Sequence, residues 1–176
     1  MNPVRLITLA GIILVAAFAR LIPHPPNVTP IMAMALLGGA TIGNRTLAFL
    51  IPLAAMFISD IVLGLHGTLL FVYGAILLTV ALGAWLQNHK GWLPTALTAI
   101  GAGMLFYLIT NFGVWLTGTM YPKTFAGLLE CYVAALPFLR NSVIGNLAYT
   151  GVLFGGFALL ENTFHALKPA TEPVNA

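Results

Sequence analysis

The sequence contains few charged residues. Of its 176 residues, 6% are Asp, Glu, Lys or Arg and 60% are hydrophobic, whereas roughly a quarter of an ordinary soluble domain is charged. A soluble fold of such a chain could not cover its apolar surface with polar groups, so we expect the lipid bilayer to be its solvent. The charged residues are scattered singly, without a run of Lys or Arg. Nucleic acid is therefore not an expected partner.

The side chains of common membrane enzymes are scarce as well. The chain has two serines, neither in a GxSxG motif, and one aspartate, so a serine hydrolase or an aspartyl dyad has no basis in the sequence. It has no GxxxxGK motif, which excludes ATP binding through a P-loop. Its single cysteine, Cys131, lacks a CxxC partner. We therefore expect neither an enzyme nor a resident cofactor.

Long apolar runs predict an all-α integral membrane protein with six transmembrane helices and an extra half-helix, 125–139, in the fifth connection. The second run is too short to cross a bilayer unaided, so we expect it to be tilted or packed. Residues 1–165 are predicted to form one transmembrane domain, followed by a loosely ordered tail, 166–176. The predicted spans are residues 6–22, 30–42, 45–65, 68–86, 93–116 and 141–160.

Six spans place both termini on one side and the first, third and fifth connections on the other. Four Lys and Arg residues against three predict cytoplasmic termini in a multi-pass protein of the bacterial inner membrane. The first connection, 23–29, has three prolines in four positions and is predicted to be extended. Polar and aromatic side chains gather at this end, which is typical of an organic-ligand pocket or of a hydrated loop layer. The candidate substrate-binding residues are Arg20, His24, Asn27, Asp60, His66, Asn111, Trp115, Tyr121, Lys123, Cys131, Tyr132 and Arg140.

Two of the charged candidates, Arg20 and Asp60, have two interpretations each. Arg20, Lys123 and Arg140 are predicted counter-charges to a carboxylate or phosphate, with Asp60 and Asn111 as polar anchors. Alternatively, Asp60 pairs with Arg20 or caps a loop, and Arg20 extends to the lipid headgroups. An ionisable group within a span is a functional candidate because its insertion costs a few kcal/mol.

The aromatic candidates and the cysteine are also open to two interpretations. Trp115, Tyr121 and Tyr132 are predicted ring contacts, or Trp115 and Tyr121 belong to the interfacial aromatic belt. Cys131 is a possible ligand or a small buried residue. No metal site of the protein's own is predicted. The candidates for an axial ligand to a metal carried by the substrate are Cys131, His24 and His66.

Small residues recur at four-residue spacing in three of the predicted spans. Such faces let helix backbones approach closely in lipid, either within the bundle or against a separate membrane partner. The three sets are Ala35, Gly39 and Gly43; Ala75, Thr79 and Gly83; and Gly151 and Gly155.

Three stretches resemble an uncharacterised family of small bacterial membrane proteins. They are residues 20–31 (RLIPHPPNVTPI), 51–64 with Ser59 and Asp60, and 110–116 (TNFGVWL) followed by the Tyr121-Pro122 and Cys131-Tyr132 pairs.

The layout more distantly resembles the S components of energy-coupling-factor vitamin transporters. The shared features are six spans, a long first outer loop, a small-residue-rich second span and an elaborated fifth connection. This resemblance implies a membrane protein that binds a micronutrient beneath loops one, three and five. It also implies docking of a coupling subunit, with its ATPases, on an AxxxA-like face of the first span. Here Gly11 with Val15, and Ala10 with Leu14, replace that face.

Some solitary S components bind cobalamin through a cysteine, and this resemblance makes Cys131 the candidate. The function expected from the resemblance is uptake of a vitamin-like molecule, with a corrinoid as one version. The alternative is an accessory or structural membrane subunit without a small-molecule ligand.

Overall fold

A computed structural model describes residues 2–168, and within them the chain is built of α-helices and two short 3₁₀ turns without a β-strand. The 3₁₀ turns are Ala19–Leu21 and His165–Leu167. The helices are α1 (Pro3–Phe18), α2 (Ile31–Thr41), α3 (Arg45–Leu63), α4 (Leu69–Leu86), α5 (Trp92–Thr117), α6 (Phe125–Ala134) and α7 (Leu136–Thr163).

Five helices of the described part are long and apolar enough to cross a membrane: α1 with its 3₁₀ extension, α3, α4, α5 and α7. The protein is thus a helical multi-pass membrane protein, with the bilayer as its environment. The prediction of six spans is not confirmed. Helix α2 has 11 residues, about 16 Å at 1.5 Å per residue, which is short of the roughly 30 Å hydrocarbon core.

Helix α2 instead forms the centre of the bundle. Nine of its eleven residues are buried, and it contacts α1, α3, α4, α5 and α7. A helix that is apolar on every side packs well in this position. Its contact with α4 depends on glycines, since a Cβ atom at Gly39 or Gly83 would collide with the other helix's backbone. For these two positions, the small-residue face serves packing within the bundle.

Helix α2 runs parallel to α4 along the second half of α4. The Thr79 hydroxyl contacts the Met32 sulfur near the start of α2. Gln87 Nε2, just after α4, donates to the Gly39 carbonyl at 2.7 Å near the end of α2. The first half of α4 therefore extends beyond the start of α2. The proline-rich connection takes the place that further turns of α2 would occupy. Within this connection Asn27 has a φ of 61°, a left-handed conformation in which Asn is enriched.

The boundary between the last two helices differs from the prediction. A half-helix 125–139 and a span 141–160 were expected, but α6 ends at Ala134 and α7 begins at Leu136. Pro137 lies in the first turn of α7, where its missing N–H costs no hydrogen bond. The break between the helices therefore comes at Ala135, before this proline, rather than at Arg140.

The two ends of the described chain meet at one end of the bundle. Asn2 Nδ2 donates to the Ala166 carbonyl at 3.0 Å, and the buried Arg5 forms an ion pair with Glu161 and donates to the Leu167 carbonyl. Of the tail predicted to be loosely ordered, residues 169–176 lie outside the described residues.

Candidate ligand-binding cavity

A cavity of about 490 Å³ lies at the end of the bundle opposite the paired termini. Its volume falls in the range typical of small-molecule sites, about 300–1,000 Å³. The α1–α2, α3–α4 and α5–α6 connections all contribute to its lining. Seven of the candidate residues from the sequence line it: Arg20, His24, Asn27, His66, Asn111, Tyr121 and Cys131.

The cavity is apolar at its base and polar at its mouth. Ile31, Met56 and Val72 are buried side chains of its lining. His24 and His66 are exposed, and the His24 Nδ1–H donates to the Ile22 carbonyl at 2.6 Å. This arrangement suits a molecule with an apolar ring system and a few polar substituents.

A buried ion pair forms part of the cavity wall. Arg20 Nη1 lies 2.9 Å from Asp60 Oδ1 and donates to Ser59 Oγ at 2.6 Å. The Tyr73 hydroxyl donates to the other Asp60 oxygen at 2.9 Å. Asp60, with 1% of its side chain exposed, lies behind Arg20 rather than on the cavity lining. The structure thus shows the pairing interpretation of Asp60, and it adds Ser59 and Tyr73 as partners that the sequence analysis did not assign.

Cys131 lies in α6, outside the five candidate spans, and its thiol is directed towards the Asn111 carbonyl at 3.5 Å. It is 2% exposed, and burial raises the pKa of the thiol above its ordinary value. A thiol kept protonated is a poor ligand for a metal ion, because the thiolate is the ligating form. Among residues 2–168, no three His, Cys, Asp or Glu side chains are grouped to hold a metal ion.

We expect Cys131 to react slowly with maleimide in the native protein at neutral pH. Its raised pKa lowers the thiolate fraction, and its burial limits access. The rate should keep rising with pH beyond the range in which a free cysteine levels off. Labelling reactions quenched at a series of times and analysed by intact-mass spectrometry measure this rate. Protein unfolded in SDS is the fully reactive reference. A native rate equal to the unfolded rate at pH 7 contradicts this prediction.

Two candidates, Trp115 in the last turns of α5 and Lys123 in the α5–α6 connection, lie outside the cavity lining. Trp115 Nε1 donates to the Pro122 carbonyl at 2.9 Å. Lys123 Nζ donates to the Trp115 and Gly118 carbonyls and lies 5.6 Å from the Trp115 ring centroid. These contacts tie the connection to the end of α5, so both residues position the cavity wall and do not contact its interior.

Tyr132 and Arg140 also lie outside the cavity lining. The Tyr132 hydroxyl donates to the Leu108 carbonyl at 2.8 Å, and its own carbonyl accepts from the Tyr107 hydroxyl at 2.6 Å. Tyr132 therefore holds α6 against α5. Arg140 is exposed on α7. The predicted roles of Lys123 and Arg140 as counter-charges thus have no counterpart in the cavity geometry.

A second, much smaller cavity adjoins the first and was not foreseen from the sequence. Its volume is about 10 Å³, and Ser142 and Asn146 of α7 line it. Ser142, Asn146 and Thr150 recur every four residues, so they share one face of the helix. That spacing of polar residues within an otherwise apolar span was the available signal. The residues that line both cavities are Asn27, Thr29, Ile31 and Phe106.

Comparisons with known proteins give a family but no function. No curated protein and no solved structure matches the chain. The model of a family of unknown function, DUF6580, matches residues 2–169. That match confirms the predicted membership of an uncharacterised family, and the chain belongs to DUF6580.

Proposed function

We propose that this protein binds a small organic molecule of vitamin type in the cavity and takes part in its uptake across the membrane. The carrying observation is the cavity itself, about 490 Å³ in volume, lined by residues of three connections at one end of the bundle. It exists because α2 starts half-way along α4. In a bundle without a ligand, we would expect the central helix to continue into this space and fill it.

The layout resembling S components supports uptake rather than catalysis. In this proposal the cavity opens to the outer face of a bacterial inner membrane, and the paired termini lie in the cytoplasm. Transport then proceeds either alone or with a coupling subunit and its ATPases. The face of α1 bears on this choice, since Ile7 and Val15 are largely exposed and Gly11 has open space around it. This face is free for lipid or for a partner helix.

The cavity favours a ligand smaller than a corrinoid. A complete corrinoid, with its macrocycle, amide side chains and nucleotide loop, exceeds a space of about 490 Å³. Burial also raises the pKa of the Cys131 thiol, which disfavours the thiolate that would bind cobalt. The corrinoid version makes a separate prediction, a red protein whose visible spectrum changes with the Cys131→Ser substitution. A colourless preparation with an organic ligand of lower mass favours the version without a metal.

Filling the cavity tests the proposal. Ala134 lines it from α6, whereas Val133, its neighbour in sequence, is outside the lining. Both residues are exposed, so a tryptophan at either place leaves the core of the bundle unchanged. We expect Ala134→Trp to abolish the thermal stabilisation by a cavity ligand, and Val133→Trp to retain it.

The experiment has two readouts. Native mass spectrometry of the gently purified protein detects a co-purified molecule, and a panel of vitamins is screened by the shift in Tm in detergent. A bound molecule that is lost in Ala134→Trp and kept in Val133→Trp supports the proposal. Absence of any bound molecule, together with no Tm shift in the panel, supports an accessory subunit instead.

A further inference from the structure

The N-terminus of α2 is buried at the base of the cavity without a side-chain cap. The first backbone bond of the helix runs from the Met34 N–H to the Pro30 carbonyl at 2.8 Å, and no side chain accepts a hydrogen bond at this terminus. The N–H groups of Ile31, Met32 and Ala33 therefore precede the intrahelical bonds. All three residues are buried. A helix end of this kind requires a partner for its donors.

A second set of unpartnered groups lies on α7, and two of its three residues, Ser142 and Asn146, lie beside the start of α2. Within residues 2–168, Ser142 Oγ, Asn146 Oδ1 and Thr150 Oγ1 are buried atoms without a hydrogen-bond partner. Their residues are 6%, 2% and 3% exposed. Eight other helical threonines donate their hydroxyls to the carbonyl four residues earlier. Ser142 and Thr150 do not, so their hydroxyls are free for another partner.

Ser142, Asn146 and the start of α2 meet in the small cavity. Ser142 and Asn146 line it from α7, and Ile31 and Met32 line it from the start of α2. Its volume of about 10 Å³ is close to the space that one water molecule or one ligand atom needs. Because it shares Ile31 with the large cavity, an atom at the base of the large cavity can reach both sets of groups.

The charges around this point favour an anion. Partial positive charge accumulates at a helix N-terminus, and anions bind there through backbone N–H groups. The Arg20 guanidinium on the cavity wall is balanced by the buried Asp60 carboxylate, so the helix terminus supplies the positive potential at this point. Half-helices in membrane transporters point their N-termini at anionic substrate groups in the same way. A cation at this place would face the wrong end of the helix dipole.

We propose that the cavity binds its ligand through an anionic oxygen group, a carboxylate or a phosphate, seated at the N-terminus of α2. The free N–H groups of α2 and the hydroxyl of Ser142 donate to its oxygens. One water in the small cavity bridges the group to Asn146 Oδ1. This inference rests on the proposed function, since it assigns the chemical class of the cavity's ligand.

Benzoate and benzamide form a matched pair of probes, because they share ring and shape and differ in charge. We expect benzoate to raise the Tm of the protein in dodecyl maltoside, and benzamide to bind with an apparent affinity at least tenfold lower, with ionic strength held constant by sodium chloride. Titration of the Tm shift gives the dissociation constant of each probe.

A carboxylate built into the chain provides the test by substitution. Pro30 has φ −78° and ψ 3°, close to helical values, so an aspartate at position 29 can reach the N–H groups two and three residues ahead. Thr29→Asp is expected to raise the Tm by itself and to lose the response to benzoate. Thr29→Asn offers the same N–H groups a neutral acceptor, so it is expected to lower the benzoate affinity less than Thr29→Asp does. Ser142→Ala is expected to weaken benzoate binding several-fold without lowering the Tm.

The outcomes separate the inference from the proposed function. Equal shifts by benzoate and benzamide, both lost in Ala134→Trp, overturn the anionic site and leave a cavity that binds neutral ligands. A benzoate shift that survives in Thr29→Asp also overturns it. If neither probe shifts the Tm and no molecule co-purifies, both the anionic site and the proposed ligand-binding function are contradicted.

The anionic group has two potential sources, a free ligand and a lipid headgroup, and a third preparation distinguishes them. The benzoate titration is repeated in phosphatidylcholine nanodiscs. A shift that persists there supports a free anionic ligand. A shift that is present in detergent and lost in nanodiscs supports the same site with a lipid phosphate as its occupant.

Discussion

Changing Asp60 to Asn is expected to lower the free energy of unfolding by about 3–5 kcal/mol, because it leaves the Arg20 guanidinium buried without a counter-ion. The pair is 2.9 Å apart, with 10% of the Arg20 side chain and 1% of the Asp60 side chain exposed. Asp60 lies behind Arg20 and off the cavity lining, so water has little room to replace the lost carboxylate. The Tyr73 hydroxyl also exchanges a charged acceptor for a neutral one. Denaturation of the purified protein by SDS in mixed micelles measures the change.

A similar substitution at the other end of the bundle is the control. Glu161 pairs with Arg5 but is 26% exposed, so Glu161→Gln is expected to cost clearly less than Asp60→Asn. Combining Asp60→Asn with Arg20→Met removes both charges and should recover part of the loss, since the cost comes from an unpaired charge. Wild-type stability in Asp60→Asn, or no recovery in the double variant, contradicts this account.

Hydropathy was sufficient to predict the helices that face lipid. The predicted spans 45–65, 68–86 and 93–116 agree with α3, α4 and α5 to within two residues at each end. In a bilayer every backbone group needs a partner within its own segment, so an apolar run of this length becomes a helix. Hydropathy could not distinguish α2, which is buried within the protein, from a membrane-spanning helix. An apolar helix buried by protein and one surrounded by lipid have similar composition, and only its length signalled the difference.

The candidate site was predicted in its residues but not in their contacts. Arg20 and Asp60 are forty positions apart, and nothing local decides whether they bind a ligand or each other. Lys123 was predicted to bind an anionic ligand because of its charge, yet its ammonium group donates to carbonyls at the end of α5 instead. The uncapped start of α2 depends on the depth at which the first connection enters the bundle, and sequence alone does not give that depth.

The contact of α2 with α4 makes Gly83 the position where a single methyl group should have a large effect. A Cβ atom there would collide with the Leu36 carbonyl oxygen and lie 3.0 Å from Gly39 Cα and 3.1 Å from Ala40 N. These are backbone atoms of a buried helix, so they cannot move aside as a flexible side chain does. We expect Gly83→Ala to lower the free energy of unfolding by about 1–3 kcal/mol, the usual cost of overpacking a core.

Gly74 on the same helix is the matched control, because a Cβ atom at that position meets nothing within 4 Å. Alanine in a helix is favoured over glycine by about 0.5–1 kcal/mol, so Gly74→Ala is expected to raise the stability slightly. The same Gly→Ala substitution is thus expected to change the free energy of unfolding in opposite directions at two positions of α4. This difference separates the effect of contact between the helices from the effect of helix propensity. Denaturation midpoints of the two variants, measured side by side, decide it, and a Gly83→Ala variant as stable as Gly74→Ala rules out the close approach of α2 and α4.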